Sequence, residues 1–150
     1  MPTTDTAYVA ENTATRERLK ALVARLSDDD LRRPLEEGWT VGATLAHIAF
    51  WDQRAPRLLE KWERQGVSPS PLPADVDAIN DAMRALCLAI PPRAAAELMI
   101  ETAEAIDRKI EQISPELAAA VQAGGNHVSF KRFHHRLEHL EQLEGMFAGA

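Results

Sequence analysis

The chain is 150 residues long, 45% hydrophobic and 27% charged, which fits one globular domain (residues 1–150) and leaves too little for two cores and too much apolar content for disorder. A net charge of −6 with no Lys/Arg cluster excludes the electrostatic footprint of a nucleic-acid or anionic-membrane binder. The single cysteine, Cys87, excludes an internal disulfide, and with no basic leader and no apolar run of bilayer length the expected location is cytoplasmic.

From about Thr4 to Leu26, the residues Thr15, Leu19, Leu22 and Leu26 form a stripe between charged positions without Gly or Pro, which predicts an amphipathic helix one. Ser27-Asp28-Asp29-Asp30 stops it and supplies N-caps for a short turn that Pro34 ends. After Gly38-Trp39-Thr40, with Thr40 as cap, helix two carries the stripe Val41, Leu45, Ile48, Trp51, Ala55, Leu59 and Trp62. Pro56 predicts a kink within it rather than a division. At 100° per residue from Val41, His47 falls at roughly 240°, while the stripe spans roughly 260° through 0° to 40°; His47 stands at its border.

Gly66 to Pro73 is rich in Pro and Ser and reads as a crossover loop. A short helix from Asp75 or Asp77 to Ile90 places Ile79, Met83, Leu86 and Ile90 on one face, with Cys87 as a small buried hydrophobe rather than a nucleophile. Pro91-Pro92 ends it, and Pro92 suits the first turn of helix three, whose seam is Met99, Ala103, Ile106, Ile110 and Ile113. Ser114-Pro115 terminates that helix, and Gly124-Gly125-Asn126 makes the last break.

Helix four has Ser129 as N-cap and the stripe Phe130, Phe133, Leu137, Leu140, Leu143 and Phe147. Measured from Phe130, its apolar arc runs from roughly 160° to 360°, and His135 and His139, at i and i+4, fall near 140° and 180°. His134 falls near 40°, beside Glu138 and Glu141, and should face solvent. With no strand pattern and no internal repeat, the predicted fold is all-α: a four-helix bundle with a crossover connection between helices two and three.

His47, His135 and His139 each lie where an apolar stripe meets solvent. Neutral imidazole is a common ligand for zinc and also suits nickel, iron and copper, and three histidines leave coordination positions for water or substrate, as catalytic sites do. The competing reading is that border histidines merely hydrogen-bond. His135-Arg136-Leu137-Glu138-His139 also matches H-x-x-E-H, the pattern of zinc proteases with Glu as general base. Too few residues follow His139 to supply the further ligand of such a site, so Glu138 reads as solvated or as a hydrogen-bond partner behind a ligand.

Thr40-Val41-Gly42-Ala43-Thr44-Leu45-Ala46-His47-Ile48-Ala49-Phe50-Trp51-Asp52, then Asp77-Ala78-Ile79-Asn80, then His135-Arg136-Leu137-Glu138-His139-Leu140, resemble the three recurring blocks of the DinB-like superfamily, which includes the YfiT-type proteins. The resemblance spans nearly the whole chain. It implies a four-helix bundle with a crossover, often dimeric, holding a divalent metal on three histidines, and the ligands carry over to His47, His135 and His139; His127 and His134 have no counterpart. Asn80 matches a recurrent polar position, where it either supports the site by hydrogen bonding or caps a turn, and Trp51, one turn after His47, either walls the pocket or fills the core. Related members include thiol-dependent transferases and isomerases and hydrolase-like detoxifying proteins.

The implied function is a divalent-metal-dependent thiol transferase or hydrolase acting on a small electrophile. Zinc or nickel stands first as the metal, with iron or manganese next. The expected partners are a small-molecule substrate, a low-molecular-weight thiol and a second copy of the chain, with no nucleic acid and no membrane. No basic cluster marks a receptor for an anionic cosubstrate; Arg54 and Arg132 are the available candidates, and surface arginines are ordinarily just solvated. The alternative is a non-enzymatic, metal-binding or self-associating bundle linked to a stress response.

Overall fold

The computed structural model describes residues 6–69, 73–124 and 130–148. Their regular elements are helices: α1 (Ala7–Arg25), α2 (Asp28–Leu31), α3 (Val41–Gln65), α4 (Val76–Ala89), α5 (Pro92–Gln112), α6 (Pro115–Ala123) and α7 (Phe133–Met146), with a 3-10 turn at Glu36–Gly38. No β-strand occurs among the described residues, only an isolated antiparallel bridge between Pro34 and Thr40. The fold is all-α.

Local chemistry sets the helix starts. Ser27 Oγ accepts from the Asp30 N–H at 3.1 Å while the Asp30 carboxylate accepts from the Ser27 N–H at 2.9 Å, a reciprocal capping box that opens α2. Thr40 Oγ1 accepts from Ala43 N–H and starts α3, as its sequence predicts. Ser114 does more than terminate α5: its hydroxyl accepts from Leu117 N–H and, with Pro115 in the first turn, starts α6. The α3 helix continues through Pro56 as one element, so the proline does not divide it.

The long helices close a ring of contacts, with α1 against α5 and α7, and α3 against the same two. Leu19, Leu22, Leu45, Ile48, Met99, Leu140 and Leu143 form the apolar centre between them. A second cluster gathers Leu59, Trp62, Ile106, Val121 and Phe130, where the Tyr8 ring stacks on Phe130 at 5.5 Å. The start of α3 lies hard against the start of α5: a Cβ added to Gly42 would meet the Pro92 Cβ at 2.9 Å.

Two expectations about buried faces change. Leu86 is 71% exposed, and Cys87 takes the inward position beside Met83, because α4 packs chiefly on α3 alone and presents only a narrow face. Phe130 is buried but precedes α7, which begins at Phe133; Ser129, the expected cap, lies outside the described residues, as do Thr4 and His127. No helix among the described residues is long and apolar enough to cross a membrane.

Candidate metal centre

The packing of α3 on α7 turns two stripe borders toward each other and brings together all three predicted histidines. His47 Nε2 lies 3.0 Å from His135 Nε2, and His139 Nε2 lies 3.1 Å from His135 Nε2. The ligand-capable nitrogens of the three residues all fall within 4.8 Å of one another. The rings meet edge-on, with interplanar angles of 75°, 80° and 82°. Trp39 adds an edge contact to His47 at 5.5 Å. The loop that delivers Trp39 is pinned by Leu35 N–H donating to Trp39 O at 2.8 Å and by left-handed backbone at Glu37 and Gly38.

This arrangement keeps the imidazoles neutral. Burial and the facing His139 lower the His47 pKa from 6.5 to about 4. Burial, His139, His47, Arg132 and Arg136 lower His135 to about 3. Burial also lowers His139, with Gln142 and Glu138 opposing it. Nδ1 of His47 and of His139 are buried and have no well-formed hydrogen bond, although Gln142 is near enough to influence the latter ring.

His135 Nε2 lies within hydrogen-bonding distance of both other Nε2 atoms but can donate or accept only one bond, so the three neutral imidazoles cannot satisfy one another by hydrogen bonding alone. Nitrogens that share one ion at about 2.0–2.1 Å stand roughly 3 to 3.5 Å apart; the two separations from His135 match this, and the full set, within 4.8 Å, needs His47 and His139 to close by at most small side-chain rotations. The cluster can therefore hold a metal ion through His47, His135 and His139.

His47 and His139 form a wall shared by two cavities, and His135 lines the second of them. One, of about 580 Å³, is lined by Trp39, Thr44, Glu37, Asp81 and Gln142; the other, of about 680 Å³, is lined by Trp51, Arg54, Val76, Lys131, Arg132 and Glu138. Asp77 and Asn80 border both. The Trp51 indole N–H donates to Asn80 Oδ1 at 3.1 Å, so the polar position on α4 braces the tryptophan; Trp51 itself is both core and wall. His134 and Glu138 are exposed on the rim of the second cavity. The third histidine comes from α3, far upstream, unlike the metalloprotease reading of H-x-x-E-H, which needs a ligand after the motif.

Sequence reasoning missed what lies directly behind the triad. Arg136 is 0% exposed, and its five N–H groups make five hydrogen bonds. Nε reaches Asp52 at 3.0 Å; the terminal nitrogens reach Asp107 at 2.8 and 3.0 Å, Asn12 O at 3.1 Å and Ala103 O at 3.5 Å. Burial penalises its charge, but Asp52 and Asp107 offset this and hold its pKa above the ordinary arginine value. Arg132 donates to Asp52 at 3.0 Å, and Arg16 to Asp107 at 2.7 Å. Arg132 is thus buried scaffold rather than a solvated surface arginine. The network ties α7 to α1, α3 and α5 at the residue following His135, which fixes the height and rotation of the ligand-bearing face.

No curated protein and no solved structure matches the chain. A family model for the DinB superfamily matches residues 11–143, a span that includes all three histidines and the network behind them. The chain belongs to the DinB superfamily.

Proposed function

We propose that the chain is a divalent-metal-dependent enzyme, a small-molecule thiol transferase or hydrolase that acts on an electrophilic substrate. The single observation that carries this reading is the convergence of three neutral imidazoles beside open space, all three lining one cavity and two of them a second. Closed structural sites fill every position with protein ligands; three histidines beside open space leave room for a reactant. The architecture we assign is a four-helix bundle of α1, α3, α5 and α7, with α4 in the crossover between its second and third members; the closed ring of helix contacts supports it.

When bound, the ion would supply Lewis-acid polarisation or would lower the pKa of a thiol or water beside it. Zinc or nickel is our first assignment, iron or manganese the next, on imidazole chemistry. The protein's own contributions are positional. Trp39 and Trp51 wall the centre, Asn80 holds the Trp51 indole, and Arg136 holds α7. We assign a cytoplasmic homodimer on the pattern that the family resemblance implies.

Elemental analysis of protein purified without a histidine tag or added metal tests the reading, comparing wild type with the His135→Ala/His139→Ala double variant. Near-stoichiometric metal in the wild type and none in the variant is expected, followed by metal-dependent turnover of a thiol with a model electrophile. Protein that stays metal-free after reconstitution with zinc, nickel, iron and manganese overturns it. Metal binding without small-molecule turnover would leave the non-enzymatic, self-associating bundle as the better reading.

A further inference from the structure

The two cavities that share His47 and His139, two arms of open space around the histidines, differ in charge. The arm beside Trp39 carries Glu36, Glu37, Asp77 and Asp81, offset in part by Arg84, which pairs with Asp81 at 3.5 Å and donates to Glu37 O at 3.0 Å. The arm beside Trp51 carries Arg54, Lys131, Arg132 and His134, with Glu138 and Asp77 as its carboxylates. Arg132 is engaged by Asp52 and by Trp51 O at 2.9 Å. Arg54 has no such partner: among the described residues no carboxylate or carbonyl pairs with it, and its guanidinium lies 5.7 Å over the Trp51 ring. It is half-buried next to a second arginine, and burial and Arg132 both lower its pKa. Lys131 is exposed on the same arm and, among the described residues, likewise makes no ion pair.

The spacing gives this charge a direction. His47, Trp51 and Arg54 follow one another at i, i+4 and i+7 on one face of α3, so Arg54 stands about 10 Å along the helix from His47. Lys131 lies four residues ahead of His135, at the entry to α7. A partly desolvated guanidinium beside like charge is stabilised by an incoming anion, and its planar fork matches a carboxylate or phosphate. Trp51 and Val76 offer apolar surface between this end and the triad.

We propose that the Arg54–Lys131 end of the cleft binds an anionic group, a carboxylate or phosphate, of a substrate or cosubstrate whose reactive end lies at the histidines. The orientation of that ligand rests on the metal-enzyme reading above, whereas the anion site itself needs no metal. The acidic arm on the far side of the triad opposes the reversed orientation.

The test titrates hexanoate, hexyl phosphate and uncharged hexanamide into the wild type, Arg54→Gln and Lys131→Gln by calorimetry, each in chelated and nickel-loaded form, with circular dichroism to confirm folding. Both anions are expected to bind the wild type at least about tenfold more tightly than hexanamide in either form. Arg54→Gln should reduce that ratio to near one and Lys131→Gln should reduce it less, with nickel content unchanged in both. A stronger hold on hexanoate assigns a carboxylate ligand, and a stronger hold on hexyl phosphate a phosphate ligand. No measurable anion binding, equal affinity for all three probes, or a preference that survives both substitutions overturns the proposal. Anion preference in a protein that takes up no nickel supports this site while the metal-enzyme reading fails; nickel uptake without anion preference does the reverse.

Discussion

His135 and Arg136 are neighbours on α7, and both carry nitrogen groups into the interior, yet their surroundings are opposite. Every N–H of Arg136 has an oxygen to receive it, and two aspartates balance its charge. His135 instead faces two more imidazoles, nitrogen to nitrogen, and two of the three rings have an orphaned buried Nδ1. Buried polarity that is fully paired is scaffold, because nothing is left for a ligand to satisfy. The triad is paired only in part: His135 Nε2 stands within hydrogen-bonding distance of two other ring nitrogens but can donate or accept only once, whereas a metal ion would engage all three.

The contrast is broken most directly at Arg136. Arg136→Met leaves Asp52 and Asp107 short of their shared partner in the interior and should cost about 3–5 kcal/mol in urea unfolding. A loss under about 1 kcal/mol would mean that Arg132 and Arg16 suffice, and that the network is not what anchors α7.

Acid should separate the two kinds of site. In metal-free protein the folded pKa values, about 4 for His47 and about 3 for His135, lie below the unfolded value of 6.5, so the unfolded chain binds protons that the folded chain refuses. Stability is therefore full above pH 6.5 and falls as pH drops from there toward the folded values, each histidine adding about 1.4 kcal/mol per pH unit at most. His139 acts in the same direction. The His135→Ala/His139→Ala variant should have a flatter profile through this window, whereas metal bound to the folded wild type, by keeping its histidines unprotonated to lower pH, should preserve the slope and extend it downward; identical profiles for wild type and variant would show that the triad is not held neutral.

Gly42→Ala sharpens the comparison without touching either centre. The new methyl group meets Pro92, both Cβ and backbone, and should cost about 1–3 kcal/mol while leaving metal content unchanged. Metal loss in this variant would mean that the α3–α5 contact, and not only the α3–α7 contact, sets the position of His47.

The clustering of His47, His135 and His139 was legible because side chains that reach both water and a neighbouring helix fall at stripe borders, where all three lie. The scaffold behind them was hidden by the opposite rule, that charge marks the outside of a helix. Arg136 falls at roughly 240°, in the middle of the apolar arc of its helix, and Asp52 at roughly 20°, inside the stripe of its own. A charge inside each of two apolar stripes, opposite in sign, was the available signal. Leu86 misled because period alone does not say how many neighbours a helix has, and α4 has little beyond α3 to bury it.

The smallest effect should come at Asn80, and it tests whether the pocket wall belongs with the scaffold or with the site. Among the described residues Asn80 makes no hydrogen bond to a histidine; its side-chain oxygen accepts from the buried Trp51 indole at the cavity wall. Asn80→Ala removes that acceptor where water from the open cavity can replace it, so stability should fall by only about 1 kcal/mol or less. Metal content should stay at the wild-type level, since no ligand is held through this bond. Ligand binding in the arm beside Trp51 should weaken more than stability does, because an indole free to turn no longer presents a fixed face to a stem lying on it. An equal effect on stability and binding would place Asn80 with Arg136 as scaffold; a selective effect on binding, read by calorimetry with hexanoate, would make it a part of the pocket.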